Sequence, residues 1–276
     1  MKRLYSRHPA PPQLKRYVQA FYVADALDLE IDVVSPPTGY PLLGLIWRGF
    51  AGAEVEGQLL KFGSMPISHF SGQLFRKHAL VRWRGGIGHA VAEFRATGFF
   101  ELFGLSGKLL VNTTRAVNDV HPPFDRSFAA RKTECVTPDD YIRTLQDALI
   151  RQIADACEAP PYLHKAINMI EAANGAIRLS DVILECGVQE RSFHLNFKSV
   201  VGLNPKYFCR VLQFNHVAQL ILSGAGSQLA ELAADAGFYD QAHFTRAFKE
   251  FAKQSPQAFL ESDEINLSTF IRLNES

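Results

Sequence analysis

Two clusters of side chains recur at helical spacing in the second half of this 276-residue chain. Gln241, His243, Arg246 and Lys249 fall on one side of a helix whose other side carries Phe244, Ala247, Phe248 and Phe251. Earlier in the chain, Arg191, His194, Leu195 and Lys198 stand opposite Phe193 and Phe197. Amide, imidazole, guanidinium and ammonium donors near the N-terminal half of a helix suit hydrogen bonds to base edges in a major groove. The aromatic side of each helix must then be buried against its neighbours.

The first half offers weaker chemistry. Trp47, Arg48, Arg82, Trp83 and Arg84 suit an effector pocket, with aromatic faces for packing and guanidinium groups for a carboxylate or phosphate. The alternative is core tryptophans flanked by solvated arginines, and both readings stay open. His69, His78 and His89 are nine and eleven residues apart, with no HxH pair and no paired glutamate, which is not metal-ligand spacing. The four cysteines sit singly and read as reduced thiols, with Cys186 and Cys209 as small hydrophobes on inward helix faces. No catalytic residue, metal or cofactor is expected.

The elements that must position the two clusters form an internal repeat with a period of about fifty residues. Leu179 to Gly187 aligns with Leu229 to Gly237: leucine meets leucine, acid meets acid twice, and both end in glycine. After one extra residue in the second copy, Phe193, Phe197, Lys198, Pro205 and Phe208 align with Phe244, Phe248, Lys249, Pro256 and Phe259. Each copy is a short helix, a glycine turn and a second amphipathic helix, so the pattern is two helix-turn-helix units. Asn204-Pro205 opens a helix between them that runs to Leu222.

These residues resemble the AraC/XylS family of bacterial transcription regulators over about 162–260, most specifically in Gly237 to Lys249 and Ser255 to Phe259. The resemblance implies two recognition helices, joined by the central helix, that enter successive major-groove segments of double-stranded DNA. It assigns base reading to Arg191, His194 and Leu195 in the first helix and to Gln241, His243 and Arg246 in the second. Leu195 stands where relatives carry a polar reader, which fits contact with a thymine methyl. Gln213, Asn215, His216 and Gln219 stand where relatives place arginines, Ile183 replaces a small alanine, and Lys253 replaces a turn glycine. The stretch Val91 to Gly104 resembles the N-terminal domain of one AraC subgroup, which implies an effector-binding or dimerising domain.

The fold class expected is α+β: a mixed, mainly β domain over 1–157, which the resemblance implies is degenerate and cupin-like, then an all-α domain over 162–260. Glycine and proline punctuation among short apolar runs gives strands and loops up to about residue 130, with one helix following Thr97. A longer helix begins at Thr137-Pro138, and its stripe of Tyr141, Ile142, Leu145, Leu149 and Ile153 serves either a homodimer seam or packing on its own barrel. Pro160-Pro161 marks the boundary. The N-terminus lacks the apolar core of a signal peptide, and no run is long enough to span a bilayer, so a cytoplasmic protein is expected.

The net charge of +1 excludes an indiscriminately basic nucleic-acid coat. There are 19 basic and 15 acidic residues before Cys157, and 10 and 13 from there on. Leaving out the stretch from Glu261 brings the second half to nine of each. The balance thus points to sequence-specific binding with few phosphate contacts. Two alternatives to a regulator remain: a cupin-like ligand-binding or metal-dependent enzyme, and an interaction protein whose helix-turn-helix heads no longer bind DNA.

Overall fold

A computed structural model describes residues 4–55, 58–60, 65–222 and 241–261. The N-terminal part is built on one antiparallel sheet of β1 (Ser6–Pro9), β2 (Val18–Leu27), β3 (Ile31–Ser35), β4 (Leu42–Val55), β5 (Gln58–Leu60), β6 (Ile67–Ser71), β7 (Ala79–Phe94) and β8 (Thr114–Ala116). The spatial path is β1-β2-β7-β4-β6-β8, with β3 added to β7 and β5 to β4.

The two long strands, β4 and β7, form the spine and bend together. Gly49 and Gly86 both have positive φ, and a Cβ on Gly49 would meet the Gly86 carbonyl. The bend lets β7 change partners: Ala79 to Trp83 pairs with β3, whereas Gly86 to Phe94 pairs with β2. The sheet therefore curls, and the two-residue period of its strands sorts side chains between a convex and a concave face. Phe21, Leu43, Leu45, Phe70, Ala92 and Phe94 meet the helices on one face. Tyr22, Ile46, Trp83, Ile87 and Val91 close the other.

Four helices cover the convex face: α1 (Gly98–Phe103), α2 (Val117–Val120), α3 (Pro122–Glu134) and α4 (Pro138–Gln152). The expected helix after Thr97 is α1, although the Thr97 hydroxyl donates to the Glu101 carboxylate instead of capping the backbone. The expected helix at Thr137 is α4, and Thr137 and Asp140 form a full capping box at its start. Two hydrogen bonds from Thr137, one from its N–H and one from its hydroxyl, together with those from Arg143 and the Val136 N–H, hold the Asp140 carboxyl well below the usual range.

Helices α2 and α3 are additions to the sequence expectation, which has only strand and loop there apart from α1. Pro122-Pro123 reads as punctuation but stands at the first turn of α3, where proline is tolerated. His121 Nδ1 accepts from the Phe124 N–H, and only Phe124 and Phe128 of this polar helix are buried. The stripe of α4 is settled by the same packing. Tyr141, Ile142, Leu145, Ala148 and Leu149 are buried in the N-terminal part's own core.

Beyond a turn at Ile153–Asp155, the chain is helical: α5 (Pro161–Ala172), α6 (Leu179–Cys186), α7 (Glu190–Val201), α8 (Pro205–Leu222), α9 (Gln241–Ala252) and α10 (Pro256–Glu261). The stretch between the two parts is tied down by a fully buried carboxylate, Glu101. It accepts hydrogen bonds from Arg16, Thr97, the His164 ring and the Ala159 N–H. A buried carboxylate is tolerated only with such pairing. Through it, part of the Val91 to Gly104 stretch serves as an anchor for the first helix of the C-terminal part. The first helix of the second repeat and its turn at Gly237 lie outside the described residues, as do Leu267, Phe270 and Ile271.

Candidate nucleic-acid interface and effector cavity

The first helix-turn-helix consists of α6 and α7. Gly187 ends α6 with φ +64, the left-handed backbone that the glycine turn requires. In α7, Phe193, Phe197, Val200 and Val201 are buried against α8 and its neighbours. Arg191, Leu195 and Lys198 are exposed, and His194 is half-buried with Glu190 3.7 Å away. Leu195 is 57% exposed on a helix that otherwise keeps its large apolar side chains inside.

Helix α8 is the shared core piece. Asn204 caps it by accepting from the Tyr207 N–H, and Phe208, Val211, Phe214 and Val217 are buried along it. Of the four positions that replace arginines, Asn215 is buried and donates to the Thr38 carbonyl in the N-terminal part. Arg210, near the start of α8, is paired with Glu250 of α9 and lies over the Phe251 ring. Its charge is therefore spent within the protein. Cys209 is buried, which pushes its thiol up to about 12 and makes it inert.

Helix α9 repeats the design of α7. Phe244, Ala247, Phe248 and Phe251 are buried, and Phe214 of α8 packs on both Phe248 and Phe251. Arg246 and Lys249 are exposed. Gln241 and His243 stand on the first turn of α9, but their side chains lie outside the described residues. Lys253 follows α9 with φ +61, the conformation expected where relatives have glycine.

Both α7 and α9 are pinned to the sheet domain at their C-terminal ends. Ser106 Oγ donates to the Ser199 carbonyl, and Gly107 and Gly202 approach so closely that a Cβ on either would strike the other backbone. At α9, the His78 ring bonds the Phe251 carbonyl. Nearby, the Arg76 N–H donates to Tyr207 Oη and Phe75 packs on that ring at 4.7 Å. Tyr40 Oη donates to Glu171 in α5. The N-terminal halves that carry Arg191 and Arg246 take no part in these contacts.

The five residues expected around an effector do not converge. Trp47 stacks flat on Tyr141 of α4, with centroids 4.0 Å apart. Arg48 pairs with Asp25, Arg82 with Glu54 and Asp32, and Arg84 with Asp32. Trp83 alone of the five lines the cavity, on the concave side of the sheet. Pro36, Leu42, Ile46, Phe50, Val55, Leu74 and Val81 supply most of its wall, and His69, Ser71, His89 and Thr114 a polar end.

The histidines of that polar end are the residues that spacing misses. His69 on β6 and His89 on β7 flank β4, and their Nε2 atoms lie 3.3 Å apart, one donating to the other. The contact exists because Gly44, between them on β4, has no side chain; a Cβ there would lie 2.2 Å from His69 Nε2. His69 Nδ1 is 3.2 Å from Ser71 Oγ, which bonds Thr114, and His89 Nδ1 is 2.9 Å from Tyr5 Oη. Burial lowers the His69 pKa to about 4, and burial with the neighbouring ring lowers that of His89 well below its ordinary value. Both imidazoles are neutral near pH 7. A mid-strand glycine signals such a close approach. No group of three or more metal-ligating side chains occurs among the described residues, and His78 lies apart at α9.

Residues 184–262 match the family model described as a helix-turn-helix domain. Among curated proteins, none matches the chain. The fold is similar to that of ToxT from Vibrio cholerae, with TM-score 0.50 and 10% identity over 87% of this chain and 98% of that one. A ToxT structure with bound unsaturated fatty acid matches at TM-score 0.48 and 12% identity, over 87% and 94% of the two chains. The C-terminal domain of AraT, a response regulator from Geobacillus stearothermophilus, matches at TM-score 0.36 and 20% identity, over 40% and 92%. The whole-chain likeness establishes the architecture, a sheet domain followed by a helix-turn-helix domain. Among the described residues, no helix is long and apolar enough to cross a membrane.

Proposed function

We infer that the chain is an AraC-type, sequence-specific DNA-binding transcription regulator, with residues 162–260 on double-stranded DNA and residues 1–157 taking a small effector. The observation that carries this reading is the paired design of α7 and α9. Each has an aromatic buried face and an exposed donor-bearing face, and each is held at the end away from its readers. Arg191, His194 and Leu195 read bases from α7, and Gln241, His243 and Arg246 from α9, with Lys198 and Lys249 binding DNA beside them. The cavity binds its ligand without transforming it, and the protein works in the cytoplasm, where its DNA is. Two copies on a two-part operator complete the proposal. Their contact lies elsewhere than on α4, whose stripe is covered.

The cavity has a physical route to the reading helices. Its wall includes Thr38, Tyr40, Leu74 and Ala79. The same two segments hold Asn215, Glu171, Tyr207 and the end of α9. A ligand that shifts either segment changes the hold on α8 and α9.

Selection of bound duplexes from a random library, followed by fluorescence anisotropy on the selected site, tests the reading. Arg246→Ala and Arg191→Ala should each weaken binding by about 1–3 kcal/mol and relax one base position. Equal affinity in both variants would overturn the assignment of readers. Absence of binding even at low salt would favour the interaction-protein alternative. With Arg210 paired internally, about six exposed cations on and beside α7 and α9 remain for phosphate, so log K against log salt should slope no more steeply than about −5. A slope implying ten phosphate contacts would contradict this.

A further inference from the structure

Strand register turns one set of side chains into the hollow of the sheet. Phe50, Ala53 and Val55 on β4 stand opposite Trp83, Val81 and Ala79 on β7, and directly paired residues share a face. Further along, Leu42 and Ile46 pair with Ser71 and Ile67 on β6, and Gly44 between them pairs with His69. The shared face is the concave one, because Ile46 and Trp83 are buried in its cluster. Protein interiors are packed as densely as organic crystals, so the unfilled space of about 90 Å³ over this face is a departure from the rule.

The wall restricts what can fill it. Among the described residues that line it, none is Asp, Glu, Lys or Arg. Its polar end is engaged with itself: His69 bonds His89 and Ser71, Ser71 bonds Thr114, and His89 bonds Tyr5. Burial keeps both imidazoles neutral. An ionised ligand would lose its hydration and gain no counter-charge, and a polyol would leave hydroxyls unpaired against the apolar part of the wall. Apolar contact is what the cavity rewards. An apolar cavity of about 150 Å³ admits benzene or xenon, so this smaller space has an upper limit of about six non-hydrogen atoms.

We propose that the cavity binds a compact, uncharged, hydrocarbon-like molecule and excludes carboxylates and polyols of the same size. The proposal rests on the effector reading of the N-terminal domain and gives that effector a chemical class. It is tested without DNA, so its failure and the failure of the DNA-binding reading are separable.

Full-length protein is titrated at neutral pH with three probes of similar size: cyclopentane, isobutyrate and glycerol. The chain has two tryptophans, so labelling with ¹⁵N-tryptophan gives two indole signals, which Trp47→Phe assigns. Trp83 belongs to the wall, and its signal reports a change in the ring's surroundings without any bond to the probe. Cyclopentane should move that signal to saturation and raise the melting temperature, with a dissociation constant at least about tenfold below those of isobutyrate and glycerol. Ala53→Leu and Ala79→Leu each put extra carbon atoms into the space, and each variant should lose the response to cyclopentane. If neither variant folds, the three titrations on the parent decide alone. A stronger response to isobutyrate than to cyclopentane would overturn the proposal in favour of an anion site, and a stronger response to glycerol in favour of a polyol site. No response to cyclopentane would remove the site. A filled variant that answers cyclopentane as the parent does would place the binding elsewhere.

Discussion

Helices α7 and α9 and the cavity place their candidate residues by opposite means. In α7, Arg191, Leu195 and Lys198 are exposed because Phe193 and Phe197 are buried, and all five lie within one helix. The cavity takes His69 from β6, Trp83 and His89 from β7, and Thr114 from β8, and Tyr5 backs it from the N-terminus. Helical period fixes a face within a few residues. A strand cavity depends on register between segments far apart in the chain, where a slip of one residue turns every side chain to the other face. The chemistry follows the same division: charged donors stand in water on α7 and α9, and neutral groups deprived of water line the cavity.

Acid should separate the two regions most strongly. The unfolded chain protonates a histidine near pH 6.5, whereas folded His69 stays neutral to about 4. Between these values the unfolded state binds the extra proton, so stability falls as pH falls and is fully kept above about 6.5. The loss attributable to His69 over that window is roughly 3 kcal/mol, with His89 acting in the same direction. Denaturant titrations at pH 7 and pH 5 should show His69→Gln losing markedly less stability than the parent. Parallel losses in both proteins would mean that the pair is not held neutral. Within the same window the cores behind α7 and α9, which are aromatic, should hold.

Gly44→Ala tests the register more directly. Its Cβ would press on both Nε2 atoms, and the pair must part or the strands must shift. Overpacking of this kind costs about 1–3 kcal/mol, measurable as a lower denaturant midpoint at pH 7. Gly187→Ala is the matching change in the helical part. Nothing crowds a Cβ there, and only the left-handed backbone resists it, at about 1–2 kcal/mol. Gly44→Ala should also disturb the Trp83 indole signal, which Gly187→Ala should not.

The uneven legibility of the sequence follows from this difference. Repetition disclosed the helix-turn-helix design twice over, and Thr137-Pro138-Asp139-Asp140 announced α4 through its own capping groups. The N-terminal strands were visible as a class from their glycines and β-branched runs, but their pairing was not. Trp47, Arg48, Arg82 and Arg84 drew notice as types, yet alternation along β4 and β7 and the acids of neighbouring strands take them elsewhere. His69 and His89 looked unremarkable because their spacing in the chain carries no trace of the glycine that brings them together. Helix α3 was hidden by a polar surface with only two buried residues.

The smallest expected effect concerns Leu195, where the two regions come nearest in chemistry, since it is an apolar group used at a surface. Because it is 57% exposed, Leu195→Ala should change stability by no more than about 0.5 kcal/mol. Its exposed neighbours on α7, Arg191 and Lys198, carry charge and hydrogen-bond donors, whereas a leucine has only contact to offer. The partner in a major groove that rewards such contact is the thymine methyl, and the loss on DNA should be about 1 kcal/mol at one position. Replacing that thymine by uracil removes the methyl and keeps the pairing. Parent and Leu195→Ala should then bind equally, because the group that distinguishes them has been taken from the DNA side. If Leu195→Ala binds both duplexes as tightly as the parent, the leucine does not read, and the first helix reads through Arg191 and His194 alone. If the variant loses affinity equally on thymine and uracil, Leu195 packs on the groove without reading the methyl.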